Sequence, residues 1–140
     1  MRYQGKYKVC FPKKYKGDPN NVIYRSSWEY KFMKWCDTTP SIVEWGSEEI
    51  VIPYTSPVDG KTHRYFPDFY IKTNNNDRYL IEVKPLKQTK EPKTQKRMSK
   101  RYINEVVTWS VNKAKWNAAE KFCSKQGWEF KIITEKELKV

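Results

Sequence analysis

Five short runs rich in β-branched and aromatic residues follow one another between residues 42 and 83, and a sixth lies near the end of the chain. Runs of this length, separated by turn-forming residues, are typical of β-strands. The predicted strands cover 42–45, 49–52, 63–65, 68–71, 79–83 and 128–133. Two intervening segments favour turns: 53–60, which contains the hairpin signal Asp59-Gly60, and 74–77.

Apolar residues at helical spacing occur on both sides of this β-rich stretch. Ser26 and Glu29 form a capping-box pattern, and the helix that they begin is expected to stop at Thr38-Thr39-Pro40. A longer helix is predicted over 103–125, with Gly127 as its terminator. This order of helix, strands, helix and strand predicts an α/β protein.

Length and composition exclude several classes of protein. The chain has 140 residues, no apolar run near the roughly 20 residues of a membrane span, and no apolar leader at its start. Three cysteines and one histidine exclude a disulfide framework and a zinc finger. Aromatic residues make up 16% of the chain, which is enough to build a core. We therefore expect a single intracellular domain over 1–140, with no membrane association.

The net charge of +12 is concentrated in two segments. Residues 1–16 contain six basic residues and no acidic one, and residues 85–102 contain seven basic residues and one acidic one, so the rest of the chain is neutral. Segregated charge of this kind indicates a surface that binds a polyanion such as nucleic acid. The alternative is a solvated tail and loop that keep the protein soluble. We predict a basic arm over 1–22, packed loosely on the body, and a basic segment over 85–102 that is mobile without DNA.

Two acidic residues fall where predicted strands begin or end. Asp68 follows Pro67 at the start of one strand, and Glu82 lies near the end of another, followed by Val83 and Lys84. Glu82 and Lys84 are two residues apart, so their side chains project from the same face of the strand. Asp68 and Glu82, with the carbonyl of Val83, could hold a divalent cation, and oxygen ligands of this type suit Mg²⁺ or Mn²⁺. Each motif alone is more often a solvated strand edge than an active site.

Three further residues extend this interpretation. Lys84 could orient a water molecule or lower its pKa, while a cation offsets charge that develops on a phosphoryl oxygen. Glu29, on the first helix, is a candidate additional carboxylate. Arg25 could reach a phosphate group near the start of that helix. Together with the basic segments, these residues predict phosphodiester hydrolysis.

Other polar residues are expected to have ordinary surface roles. His63 has no histidine partner and is expected to make a hydrogen bond in a turn or strand rather than act as a general acid. Lys113 and Lys115 are expected on a solvated face of the long helix, although they could face the site. At most one of the adjacent residues Glu48 and Glu49 can point inward.

The motifs together resemble a known superfamily. A helix glutamate, Pro67-Asp68 and Glu82-Val83-Lys84 are similar to the motif of the PD-(D/E)XK nucleases, which have the restriction-endonuclease-like fold. Residues 9–15, 24–32, 65–69 and 82–85 resemble the head completion nucleases of contractile-tailed bacteriophages. The same layout is similar to the endonuclease subunit of some transposition systems.

This resemblance implies an α/β fold with a central mixed β-sheet flanked by helices. It also implies a metal-dependent DNA endonuclease that acts in virion assembly, in the host cytoplasm, with phage head, portal or neck proteins as partners. Asp68 and Glu82 would bind Mg²⁺, which Mn²⁺ could replace, Lys84 would be the catalytic lysine, and Glu29 the helix glutamate. A single site in each chain is compatible with a monomer or a dimer. A non-catalytic or weakly catalytic connector protein of the phage head that binds DNA is the alternative.

The same interpretation assigns the DNA contacts to basic residues, mostly toward the phosphate backbone. The predicted contacts are Arg25, Lys13, Lys14, Lys87, Lys90, Lys93, Lys96, Arg97, Lys100 and Arg101.

Overall fold

A computed structural model describes residues 4–139, so the first three residues of the predicted basic arm lie outside the described part. Its strands and helices, in chain order, are β1 (Gly5–Lys6), β2 (Ile23–Tyr24), α1 (Ser27–Thr38), β3 (Ile42–Ser47), β4 (Ile52–Thr55), β5 (Thr62–Tyr65), β6 (Phe69–Thr73), β7 (Arg78–Val83), α2 (Lys100–Gln126), β8 (Glu129–Ile133) and α3 (Glu135–Leu138). Two short 3₁₀ turns cover Pro12–Lys14 and Leu86–Thr89.

A four-stranded sheet in the order β3-β6-β7-β8 forms the centre of the structure. The pairs β3–β6 and β6–β7 are antiparallel, and the pair β7–β8 is parallel. The parallel pair is connected by α2, as a crossover between parallel strands requires. The expected mixed sheet flanked by helices is therefore confirmed.

Alternating side chains of the central strands bury two separate apolar clusters. Phe69, Ile71 and Ile81 pack with α1 on one face of the sheet. Tyr70 and Leu80 pack with α2 on the other face. The carboxylate of Glu82 has the same strand parity as Leu80 and therefore points to the α2 side.

The helix boundaries agree with the sequence pattern at α1 and differ at α2. Ser26 caps α1 by accepting a hydrogen bond from the backbone N–H of Glu29 at 3.1 Å. Gly127 ends α2 in the left-handed conformation, with φ of 74°. However, α2 begins at Lys100 rather than at residue 103, because the hydroxyl of Ser99 accepts a hydrogen bond from Tyr102 N and caps the helix. The basic segment 85–102 thus includes the first helical residues.

One predicted strand is displaced along the chain. Residues 49–51 are not a strand, and β4 instead covers Ile52–Thr55, including Pro53, which was expected in a turn. It pairs with β5 in a two-stranded hairpin outside the central sheet, where a proline without an N–H is tolerated. The turn is shorter than predicted, and His63 hydrogen-bonds Asp59 across it at 2.8 Å. The short helix α3 was not predicted.

The described part of the N-terminal arm is not loosely packed, contrary to expectation. Tyr7, Val9, Tyr15 and Val22 are buried in the same cluster as α1. The prediction failed because Tyr7, Val9 and Tyr15 each lie next to a lysine in the sequence, and the charge pattern masked their contribution to the core.

A buried carboxylate fastens this arm to α1. Asp37 is fully buried and accepts hydrogen bonds from the hydroxyl of Tyr7 at 2.8 Å, from Cys10 N at 2.7 Å and from Phe11 N at 3.1 Å. The ammonium of Lys14 donates to three backbone carbonyls at the end of α1, those of Cys36, Asp37 and Thr39, at 2.9–3.0 Å. These bonds satisfy carbonyls that a helix leaves without partners.

Candidate active site

The antiparallel pairing of β6 and β7 brings the two sequence motifs together. Phe69 is paired with Ile81, so the start of β6 lies beside the end of β7. Asp68 precedes β6, and its Oδ2 accepts a hydrogen bond from the backbone N–H of Val83 at 2.8 Å. This bond joins residues 15 positions apart in the chain at one end of the sheet.

The side chain of Glu82 is buried at this end, with an exposed fraction of 6%. Its Oε1 accepts a hydrogen bond from the hydroxyl of Tyr65 at 2.7 Å. Its Oε2 lies 3.6 Å from Nζ of Lys84, which is partly exposed. Glu82 and Lys84 therefore share a face of β7, as predicted, whereas Val83 packs toward the α1 cluster.

Burial raises the pKa values of both carboxyl groups, and the charge of Glu82 raises that of Asp68 further. The pKa of Asp68 is well above its ordinary value because of burial and the negative charge of Glu82. The pKa of Glu82 is raised by burial, although the Tyr65 hydroxyl and the charges of Lys84 and Lys115 act in the opposite direction. Ionising both of these adjacent acidic groups is therefore unfavourable. A cation bound between them would relieve the repulsion.

Glu29 lies at the same end of the molecule. Its Oε1 accepts a hydrogen bond from the backbone N–H of Arg25 at 3.2 Å. Arg25 immediately precedes the N-cap Ser26, so this bond ties Glu29 to the start of α1. The pKa of Glu29 is raised by burial and by the nearby charges of Glu48 and Glu82. Glu29 is thus close enough to Glu82 for the two charges to interact.

Arg25 pairs with Glu48 at the edge of this acidic group. Glu48 has a φ of 55°, unusual for a residue with a side chain, and its backbone N–H donates to the carbonyl of Asp68 at 3.1 Å. Of the two adjacent glutamates, Glu48 faces the site, whereas Glu49 accepts a hydrogen bond from Tyr15.

The oxygen donors fit a hard divalent cation that keeps part of its water shell. Within residues 4–139, histidine, cysteine, aspartate and glutamate do not assemble into a group of three suited to a metal ion. Mg²⁺, however, is commonly held by one or two carboxylates and several water molecules. Asp68 and Glu82, which repel each other until a positive charge lies between them, match that mode of binding.

Near Glu82, Tyr65 was missed from the sequence, and the wrong one of two positions was favoured for Lys115. Tyr65 looks like an ordinary core aromatic residue in sequence, and only its position shows that the hydroxyl meets Glu82. Lys115 was expected on a solvated face, but its Nζ lies over the rings of Tyr54 and Tyr65, at 5.9 and 5.7 Å from their centroids. Of the two positions considered for Lys115, the structure shows the one that faces the site, because the β4–β5 hairpin covers that side of α2.

The basic residues predicted to bind DNA differ in their surroundings. Those of the segment 85–102 are exposed: Lys87, Lys90, Lys93, Lys96, Arg97, Lys100 and Arg101. Lys13 is also exposed. Lys14, by contrast, donates its ammonium hydrogens to carbonyls at the end of α1 and is therefore engaged within the protein rather than free to bind a phosphate group. In the described part of the chain, no helix is long and apolar enough to cross a membrane.

A mixed sheet with an acidic pair and a lysine at the ends of adjacent strands defines a protein of the restriction-endonuclease-like class. The chain belongs to the family of TnsA-like endonucleases, since residues 39–135 match the model of their N-terminal domain. It is also 43% identical over 139 residues to the head completion nuclease of Enterobacteria phage T4, covering 96% of this chain and 93% of that protein. No solved structure matches the chain significantly.

Proposed function

We propose that this protein is a metal-dependent DNA endonuclease that hydrolyses phosphodiester bonds during completion of a bacteriophage head. The observation that supports this most strongly is the buried pair Asp68 and Glu82 beside Lys84, inside the range that matches an endonuclease family. Burying two carboxyl groups side by side costs free energy. Ionisable groups with perturbed pKa values are found preferentially at functional sites.

Asp68, Glu82 and the carbonyl of Val83 would hold the cation, with Mg²⁺ as the natural ion and Mn²⁺ as a substitute. The bound ion would supply a positive charge near the phosphoryl oxygens and a water molecule of lowered pKa. Lys84, whose Nζ is 3.6 Å from Glu82 Oε2, would donate a hydrogen bond that orients this water toward phosphorus. Glu29 would support the acidic group from α1.

DNA would be held by exposed basic residues outside the acidic group. The segment 85–102 begins two residues after the end of β7, and its first basic residue, Lys87, lies three residues after Lys84. Phosphate contacts of this kind position the duplex without selecting its sequence. Lys13 would extend the contact along the side formed by α1 and the N-terminal arm. Arg25 would exchange its ion pair with Glu48 for a phosphate group.

The biological setting is proposed from the phage relative. That protein is named a head completion nuclease, and the similarity covers almost the full length of both chains. By this analogy, the protein acts on DNA at the phage head in the host cytoplasm, in contact with head, portal or neck proteins. We further propose that 1–140 is one domain and that it acts as a monomer or a dimer.

The test is incubation of the purified protein with supercoiled plasmid and Mg²⁺, with an EDTA control. We expect nicked or linear plasmid with Mg²⁺ and intact plasmid with EDTA, because the site needs a cation to place and activate water. An intact plasmid in Mg²⁺ and in Mn²⁺, together with a salt-sensitive gel shift, would reject the endonuclease proposal. That result would favour the connector protein that binds DNA without cutting it.

A further inference from the structure

We propose that Tyr65 is a positioning residue of the active site, which holds one oxygen of Glu82 so that the other is presented to the divalent cation. The inference rests on the proposed function, because it assigns to Tyr65 a task in metal binding. It adds a residue that lies outside both sequence motifs.

The two oxygens of Glu82 have different surroundings. Oε1 accepts the hydroxyl hydrogen of Tyr65 at 2.7 Å, a short and strong contact for a carboxylate. Oε2 lies 3.6 Å from Nζ of Lys84, beyond ordinary hydrogen-bond distance. The short bond from Tyr65 therefore orients the carboxylate through Oε1 and leaves Oε2 as the oxygen without a short side-chain hydrogen bond. We assign Oε2 to the cation on that basis.

Burial makes this arrangement rigid. Tyr65 and Glu82 have exposed fractions of 4% and 6%, so water has little access to compete for their hydrogen bond. The backbone of Tyr65 is paired with Ile52 in the β4–β5 hairpin. Its ring packs in the α2-side cluster, with the ammonium of Lys115 5.7 Å from the ring centroid. The ring cannot turn without disturbing both the hairpin and α2.

A hydrogen bond to the outer oxygen of a ligating carboxylate has a known energetic consequence. It fixes the orientation of the ligand before the ion arrives, and its removal typically weakens metal affinity by about 10–100-fold. Without the hydroxyl, the Glu82 carboxylate would lose its short hydrogen bond at Oε1 and would be held by its remaining contacts, those with Lys84 and the backbone N–H of Asp68. The entropic cost of ordering the carboxylate would then reduce the free energy of metal binding.

The test compares Tyr65→Phe with Tyr54→Phe, using direct binding of Mn²⁺ measured from the spectroscopic signal of the free ion. Tyr54 is a matched control, because Lys115 also lies over its ring, at 5.9 Å, whereas the hydroxyl bound to Glu82 is that of Tyr65. We expect Tyr65→Phe to raise the Kd for Mn²⁺ by about 10–100-fold and Tyr54→Phe to change it less than about twofold. Plasmid cleavage by Tyr65→Phe should recover when Mg²⁺ is raised in proportion.

The outcomes separate this inference from the proposed function. If the wild type binds Mn²⁺ and cuts DNA, but Tyr65→Phe has the same Kd, Tyr65 is not a positioning residue. If the wild type neither binds Mn²⁺ nor cuts DNA, the proposed function itself fails. Reversible unfolding of Tyr65→Phe would also raise the apparent Kd, by the inverse of its folded fraction. The folded fraction is therefore measured by circular dichroism under the same conditions. A rise in Kd no larger than that fraction explains would show that Tyr65 acts on folding and is not a positioning residue.

Discussion

Replacing Asp68 by asparagine is expected to abolish DNA cleavage and, at the same time, to stabilise the metal-free protein. The substitution preserves the size of the side chain and an oxygen for the hydrogen bond from Val83 N. It removes the negative charge on which binding of a cation depends. We expect plasmid cleavage to fall on the order of 10³-fold or more, with DNA affinity unchanged within about twofold, because the phosphate contacts lie elsewhere.

The gain in stability follows from the raised pKa of Asp68. A carboxyl group with a higher pKa in the folded state than in the unfolded state destabilises the fold at any pH at which it is ionised. Asparagine removes that penalty, so the free energy of unfolding at pH 7 should rise by about 1 kcal/mol. As the pH falls through the raised pKa, the wild-type carboxyl takes up a proton and the difference between variant and wild type should shrink.

Asp77→Asn is the matched control, since Asp77 is exposed in the turn at the opposite end of the β6–β7 pair. It should leave cleavage and stability nearly unchanged. Full activity in Asp68→Asn would show that Asp68 is not a metal ligand. A decrease in stability that is the same at pH 5 and pH 7 would contradict the assigned repulsion.

Replacing Asp37 by alanine is expected to cause a large loss of stability. Three donors would lose their acceptor, and two of them are backbone N–H groups of the N-terminal arm. Hydrogen bonds to a charged group contribute about 1.5–3 kcal/mol each, and unsatisfied buried donors add a penalty. We expect the free energy of unfolding to fall by about 3–5 kcal/mol, measured by urea denaturation.

Asp18→Ala provides the comparison for this loss. Asp18 is exposed, and its carboxylate accepts one local hydrogen bond, from Asn20 N at 2.9 Å. Its removal should cost less than about 1 kcal/mol. Equal effects of the two substitutions would mean that Asp37 does not fasten the arm to α1.

The acidic pair was predictable because each motif is local and its strand is easy to recognise. Glu82 and Lys84 share a face through the two-residue period of a strand, and no tertiary information is needed for that. The two strands are joined by a turn at 74–77, so they pair as neighbours and bring Asp68 beside Val83. The alternation of the sheet and the capping of α1 were predictable for the same reason.

Residues whose role depends on distant partners were missed or misassigned. Asp37 is 30 positions from Tyr7, and an acidic residue near the end of a helix is usually solvated. Lys14 looked like part of a charged cluster, because nothing in its neighbours in sequence points to the carbonyl groups of α1. Tyr65 and Lys115 meet only because the β4–β5 hairpin folds over α2. The direction of a side chain across such a contact is not encoded in a local pattern.

The most direct test of the metal centre is anomalous X-ray diffraction from crystals of the protein soaked in Mn²⁺. We predict an anomalous peak between the carboxylates of Asp68 and Glu82, and its absence in crystals of Asp68→Asn soaked in the same way. A well-occupied peak elsewhere, or no peak at this site at a Mn²⁺ concentration that supports cleavage, would contradict the proposed centre.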